Sequence, residues 1–272
     1  NTDYNGYQYY GIDIDPATGS NFIAAGAQDN AFTIQPTGAA ALEVGPTADG
    51  VDVAVISGGS DFTTHNIFLM WQNGSMLRYE NGSEATGTIN PASTDFVGRF
   101  YLDADNTNYM YFPSNTGTLH RTRIAESIAA TTTTGNSATG WESMTGVSTA
   151  VGSDEISALD ASRNIQYSNA AYSASDNNRK LYIGTDGGKL YRLDDPAFGS
   201  ASNSPTDITP SGVAATSVIT SVATNPKDDK EVLVVLSNYG IVNIYHTTDA
   251  TVASPTWTAV EGSTAAVQVA SI

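Results

Sequence analysis

Short apolar runs alternate with polar turns along this chain, and five stretches share one layout: an apolar run, a turn holding Asn or Asp and usually Gly, then a second apolar run. They read AAGAQDNAFTI (24–34), FLMWQNGSMLRY (68–79), MYFPSNTGTLHR (110–121), LYIGTDGGKLYRL (181–193) and VVLSNYGIVNIY (234–245). Each predicts a tight β-hairpin, because Asn, Asp and Gly tolerate the left-handed backbone such turns need.

A further strand is expected before each hairpin. Residues 9–16 and 219–226 alternate apolar and polar positions and stop at a proline-bearing turn, the pattern of a half-buried strand. Residues 51–56, 96–105 and 169–176 stand in the same place before the second, third and fourth hairpins. Weaker strands are expected downstream at 41–44, 87–90, 141–144, 206–209 and 256–260. Four short antiparallel strands per unit, with starts near 9, 51, 96, 156 and 219, predict an all-β fold. Its expected form is a β-propeller of about five blades. A β-sandwich would also give short strands, but the blade rhythm favours the propeller.

Helical periodicity is absent apart from a single turn near 124–130, and the stretches 129–154 and 197–217 read as surface loops. Residues 266–272 (AVQVASI) alternate like another first strand. An open arc of blades would expose strand edges, so residues 1–272 are expected to be a propeller domain or part of one. The edges would be covered by the rest of a larger chain or by a partner subunit.

Composition narrows the partners. Acidic residues outnumber basic ones 28 to 11 in 272 residues, giving a net charge of −17. Such a surface repels phosphate backbones and anionic membranes, so neither nucleic acid nor membrane insertion is expected. The absence of cysteine excludes disulfides, thiolate metal sites and a cysteine nucleophile. The chain starts at Asn1 with no signal peptide or membrane-length apolar stretch, which reads as a processed or excised piece. Few lysines with abundant Thr, Asn and Tyr suit a cell-surface domain.

Three stretches carry a family resemblance: Gly26-Ala27-Gln28-Asp29-Asn30, Asp49-Gly50-Val51-Asp52-Val53-Ala54, and Tyr182 through Arg192. With SNYGIVNIYHTTDATVASPTWTAVEG near the C-terminal end, the chain resembles large secreted propeller proteins of Bacteroidetes bacteria. These are related to the sortilin-like, Asp-box and xyloglucanase propellers. The resemblance implies export by the type IX secretion system and a place in the medium or on the bacterial cell surface. It further implies an adhesive, structural or glycan- or protein-binding role without catalysis, with a glycan or an extracellular protein as partner. The alternative is part of a polysaccharide-degrading glycoside hydrolase. Thr247-Thr248-Asp249 and Thr256-Trp257 match the two ends of an Asp-box, with Ala250 where glycine is usual. In that motif Asp and Trp are structural, and a structural role is expected of Asp249, Trp257 and Trp141.

In a propeller, the turns between second and third strands lie on one face. Gln28, Asp29, Asn30, Asn73, Asn115, Asp186, Asn238 and Tyr239 would then ring one mouth of the tunnel, with Asp49 beside them. Such a rim could hold a sugar through its hydroxyls or calcium through oxygen ligands, although hairpin turns alone call for Asn, Asp and Gly. Glycosidase chemistry would need a carboxylate pair across a cleft; Asp29, Asp49, Asp52 and Asp61 are the candidates. Asp13-Ile14-Asp15 and Asp103-Ala104-Asp105 resemble calcium ligands but stand at strand ends, where acids cap turns. No cofactor is otherwise expected, and His65, His120 and His246 lie in different repeats with no zinc spacing.

Overall fold

The computed structural model of the chain describes residues 6–17, 19–36, 38, 40–45, 48–56, 65–80, 83–84, 87–132, 138–163 and 179–261. Five four-stranded antiparallel sheets follow one another along the chain. The first holds β1 (Tyr9–Ile14), β2 (Ile23–Ala27), β3 (Phe32–Gln35) and β4 (Leu42–Val44); the second holds β5 (Gly50–Ile56), β6 (Asn66–Trp71), β7 (Met76–Glu80) and β8 (Ser83–Glu84). The third comprises β9 (Tyr101–Leu102), β10 (Met110–Pro113), β11 (Leu119–Thr122) and β12 (Trp141–Ser143). The fourth comprises β13 (Ile156–Ala161), β14 (Lys180–Thr185), β15 (Leu190–Asp194) and β16 (Thr206–Asp207). β17 (Ile219–Asn225), β18 (Asp228–Leu236), β19 (Ile244–Thr247) and β20 (Thr258–Ala259) make the fifth. Strand order within every sheet is sequential.

All five predicted hairpins form. Four close identically, an amide donating to the carbonyl four residues on: Ala27 to Ala31, Trp71 to Ser75, Ser114 to Thr118 and Thr185 to Lys189. The fifth is longer, with Leu236 donating to Asn243. Left-handed backbone falls at Asp29 (φ 60°), Asn73 (φ 61°), Gly117 (φ 69°), Gly188 (φ 74°) and Gly240 (φ 72°), which is why Asx and Gly recur there.

The chain divides into two compact units, Asn1–Leu102 with Ile124–Trp141, and Asp103–Arg123 with Glu142–Ile272. In the first, β5 packs beside β1 and β2, over a core that includes Phe22, Phe32, Ile34, Val53, Ile67, Leu69 and Trp71. In the second, β17 packs beside β13 and β14, over Tyr182, Leu190, Ile208, Val222, Val234 and Tyr245. Two glycines of the resemblance are accounted for by this packing. A Cβ on Gly26 would lie 2.6 Å from the Gly50 backbone, and one on Gly50 would collide with the Ala31 carbonyl oxygen.

Several boundaries differ from expectation. The first strand of the third sheet is only Tyr101–Leu102, because the Asp103 carboxylate accepts the Asp105 and Asn106 amides and turns the chain. The first strand of the fourth sheet is Ile156–Ala161; residues 169–176 lie outside the described residues, as do 266–272. The last strand of the second sheet is Ser83–Glu84, while Thr88 of the expected 87–90 bridges to Thr131. The predicted turn near 124–130 is a 3-10 turn at Ala125–Ser127. A short helix, α1 (Thr145–Val151), occupies part of the expected loop 129–154 and buries Gly146, Val147 and Val151. Seven residues rich in Thr, Ser and Val are too few to show a 3.6-residue period.

Candidate functional site

In the first unit the turn after β2 is bound to its surroundings chiefly through backbone. The Asp49 carboxylate, buried at 8% exposure, accepts the Asp29 amide at 2.5 Å. The Asn30 side-chain amide donates to the Gln28 carbonyl at 2.9 Å. Gln28 and Asn30 are half-buried and Asp29 is exposed. Asn73 is exposed at the corresponding turn after β6. Asp61 lies outside the described residues.

In the second unit the matching turns tie down the start of their own sheets. Asp186 accepts the Glu155 amide at 2.8 Å, while its own amide donates to the Glu155 carbonyl. Asn238 accepts the Val218 amide at 2.8 Å and donates to the Thr216 carbonyl at 3.2 Å. Asn115 is exposed. Beside Asn238, Tyr239 stands out with 73% of its surface exposed. Turn polarity is therefore largely used internally, whereas the Tyr239 ring is left to solvent.

Two further sets of polar residues, not expected as a set, join successive sheets. The first is a carboxylate on the first strand of a sheet that accepts an amide in, or just before, the first strand of the next. Asp13 accepts Val55 at 2.7 Å and Asp52 accepts Phe100 at 3.0 Å. Asp160 accepts both the Thr224 amide, at 2.6 Å, and its hydroxyl, at 2.9 Å. The second is an arginine on the third strand that reaches carbonyls before the last strand of the next sheet. Arg78 donates to Ala125 and Ile128, Arg121 to Pro196, and Arg192 to Ala250 and Val252. Arg78 also pairs with Glu80, and Arg192 with Asp194, two residues on. The signal was legible: three of the repeats place Arg in the third strand, although Lys and Arg total only 11 in the chain. Two tryptophans add neutral versions, Trp141 donating to the Ile89 carbonyl at 2.7 Å and Trp257 to Ile208 at 2.9 Å. Asp249 accepts the Thr251 amide and hydroxyl within its own turn. The structural roles expected of Trp141, Trp257 and Asp249 match these bonds.

The paired acids at strand ends are likewise engaged. Asp15 accepts the Ala17 amide at 2.9 Å and meets His65 Nε2 at 2.8 Å, the imidazole stacking on Phe22 with ring centres 3.7 Å apart. Burial works upward on the Asp15 pKa, but the Ala17 amide, His65 and Ser20 together hold it below the usual carboxylate range. Asp103 pairs with Arg179 at 2.6 Å and Asp105 with Arg163 at 2.7 Å. Among the described residues, no group of three His, Cys, Asp or Glu side chains is placed to hold a metal ion. Asp52 stands apart: burial, with Asp13 adding repulsion, pushes its pKa up to about 7 against the pull of the Phe100 and Val53 amides and Arg99.

The five sequential four-stranded antiparallel sheets are consistent with a propeller-like arrangement, and comparison with solved structures finds a similar fold in WD40-repeat proteins. The WD40 repeats of RRP9 superpose with a TM-score of 0.53 at 10% identity, and U3-55K with 0.53 at 11%. In both cases 84% of this chain is covered, and it spans 60% of the matched chain. No known protein family and no curated protein sequence matches the chain.

These findings overturn the resemblance to secreted Bacteroidetes propellers. The sortilin-like, Asp-box and xyloglucanase relationship, type IX export and a bacterial secreted or cell-surface location all rested on it, and the fold matches WD40 repeats instead. The physical reason is local: the residues behind the resemblance answer to generic demands. Gly26 and Gly50 meet close backbone approach, Asp29 a left-handed turn, and Trp257 an inter-sheet hydrogen bond. Among the described residues, no helix is long and apolar enough to cross a membrane.

Proposed function

We propose that the chain is a noncatalytic scaffolding module that binds another protein through its hairpin turns. Gln28, Asp29 and Asn30, backed by Asp49, would present the contact in one unit, and Asp186, Asn238 and Tyr239 in the other. The observation that carries this reading is the exposure of Tyr239, 73% open to solvent on a turn whose neighbour Asn238 is locked by two backbone partners. An exposed aromatic with few rotamers, beside a residue fixed by two backbone partners, is the residue type that anchors protein interfaces. Against glycoside hydrolysis, Asp49 and Asp52 each accept backbone amides, bonds that hold them in structural positions. A propeller fold by itself names no function, so the surface has to supply it.

The test places a photo-crosslinking amino acid at position 239 of the full-length protein, identifies what it captures, and reconstitutes that pair from purified components. Tyr239→Ala should weaken the reconstituted complex by about 2 kcal/mol, roughly thirtyfold in Kd. Unchanged affinity would refute the contact. A polysaccharide panel run in parallel should show no turnover, and hydrolysis by the purified chain would overturn the noncatalytic reading.

A further inference from the structure

The first strands show their two sides to different neighbours. On β1 the odd positions are turned to β5: a Cβ on Gly11 would lie 2.7 Å from the Val51 carbonyl oxygen, and Asp13 accepts the Val55 amide. Side chains alternate along a strand, so the even positions are turned away. Ile12 is 66% exposed there and Ile14 55%. Tyr9, also exposed, donates to the Thr33 hydroxyl on the same face, since Thr33 and Ile12 both pair with Ala25. Register fixes the matching residues of other sheets: Val53 pairs with Leu69 and Val222 with Val234, which like Ala25 stand two residues before the amide that closes the hairpin. Both valines are buried. Val53 lies in a core shared with Phe32 and Ile34 of the first sheet, and Val222 in one shared with Tyr182 and Leu190 of the fourth. In each unit, therefore, the preceding sheet of the repeat covers this apolar position.

The covering face has a recognisable make-up, and the fifth sheet carries one. In the fourth sheet it is the row Asp160, Tyr182 and Arg192, paired across three strands, which packs on the fifth sheet and bonds the Thr224 amide and the Ala250 carbonyl. The same row in the fifth sheet is Ala223, Leu233 and His246. Val222 is turned to the fourth sheet, so Ser221 and Ala223 are turned away from it, and both are exposed. Leu233, Val235, Ile244 and His246 are half-buried beside them. His246 stands where Arg192 does and meets Glu231 at 2.7 Å, as Arg192 meets Asp194.

We propose that a second copy of this chain covers the Ile12–Ile14 face with the Ala223–Leu233–His246 face of its fifth sheet. The contact is built like those that join the first sheet to the second and the fourth to the fifth, and the chain itself supplies both halves. Two different faces meet, so each pair of copies keeps one face of either kind at its ends and the association propagates. Each copy carries a net charge of −17, and salt that screens this repulsion tightens the contact. Such self-association is separate from partner binding at the hairpin turns.

The experiment is sedimentation of the full-length protein from roughly one to two hundred micromolar, at about 50 and 500 mM salt. The wild type should form species that grow beyond a dimer with concentration, more so at the higher salt. Ile12→Arg and Ala223→Arg should each weaken association by about thirtyfold or more. Arginine lowers the net negative charge, so added repulsion cannot account for the loss, and both positions are exposed, so melting should be unchanged. Mixing the two variants is the decisive arm. Ile12→Arg keeps an intact fifth sheet and Ala223→Arg an intact first sheet, so the mixture should give a dimer and nothing larger. A wild type that stays monomeric throughout, either variant assembling like the wild type, or a mixture that yields no dimer would each overturn the proposal.

Discussion

Asp52 makes the pH dependence of folding testable. Its carboxyl lies on β5, accepts the Val53 amide at 3.1 Å and the Phe100 amide at 3.0 Å, and faces Asp13 on the neighbouring first strand and Arg99. Burial raises its folded pKa from the usual 3.8 to about 7. Between those values the folded state holds a proton that the unfolded state has released, so stability falls as pH rises through that window and levels off above it. Three pH units at about 1.4 kcal/mol each amount to roughly 4 kcal/mol, an upper figure because Asp52 is half-buried and solvent screens part of it. Asp52→Asn keeps the shape and removes the titration. Urea unfolding followed by tryptophan fluorescence, at half-unit steps from pH 4 to 8, should show the wild-type free energy dropping relative to the variant by a few kcal/mol. Parallel profiles for the two proteins, whatever their offset, would refute a buried protonated carboxyl between the first strands.

Two further substitutions probe the joints between sheets. Gly50→Ala places a Cβ against the Ala31 carbonyl, and should cost at least about 3 kcal/mol in thermal unfolding. Gly19→Ala, with nothing within 4 Å but φ at +83°, should cost only about 1 kcal/mol. Equal effects would mean the close approach is not rigid. Arg192→Met keeps the stem but strips the bonds to the Ala250 and Val252 carbonyls; a loss of about 2 to 4 kcal/mol is expected. Hydrogen exchange should quicken first at the Ala250 amide, which donates to the Lys230 carbonyl, and unchanged protection there would count against the clamp.

The hairpins were readable because their information is local. A turn such as Gln28-Asp29-Asn30 carries both the flanking apolar runs and the Asx residue that accepts φ near 60°, and neither depends on the rest of the chain. The weak last strands were harder: Ser83–Glu84 has two residues, below any period, and the residues expected in its place were drawn off by Thr131. Helix α1 escaped for the same reason of length. The candidate rim was legible only as residue types. That Asp49 faces the Asp29 amide, twenty positions away, is a fact of packing.

By itself the amino-acid sequence determined the repeat, the all-β class and the turn chemistry, since alternation and left-handed turns are written within a few residues of one another. Tertiary structure alone decided which polar groups hold sheets together and which are left over. Asp13, Asp52 and Asp160 look like any acid in a strand until Val55, Phe100 and Thr224 come within 3.0 Å. The arginines at 78, 121 and 192 look like surface charges until carbonyls 47 to 75 residues away turn toward them. Hydrogen bonding is directional and spent once, so only the folded arrangement shows that Trp141 gives its indole N–H to Ile89 and Trp257 to Ile208.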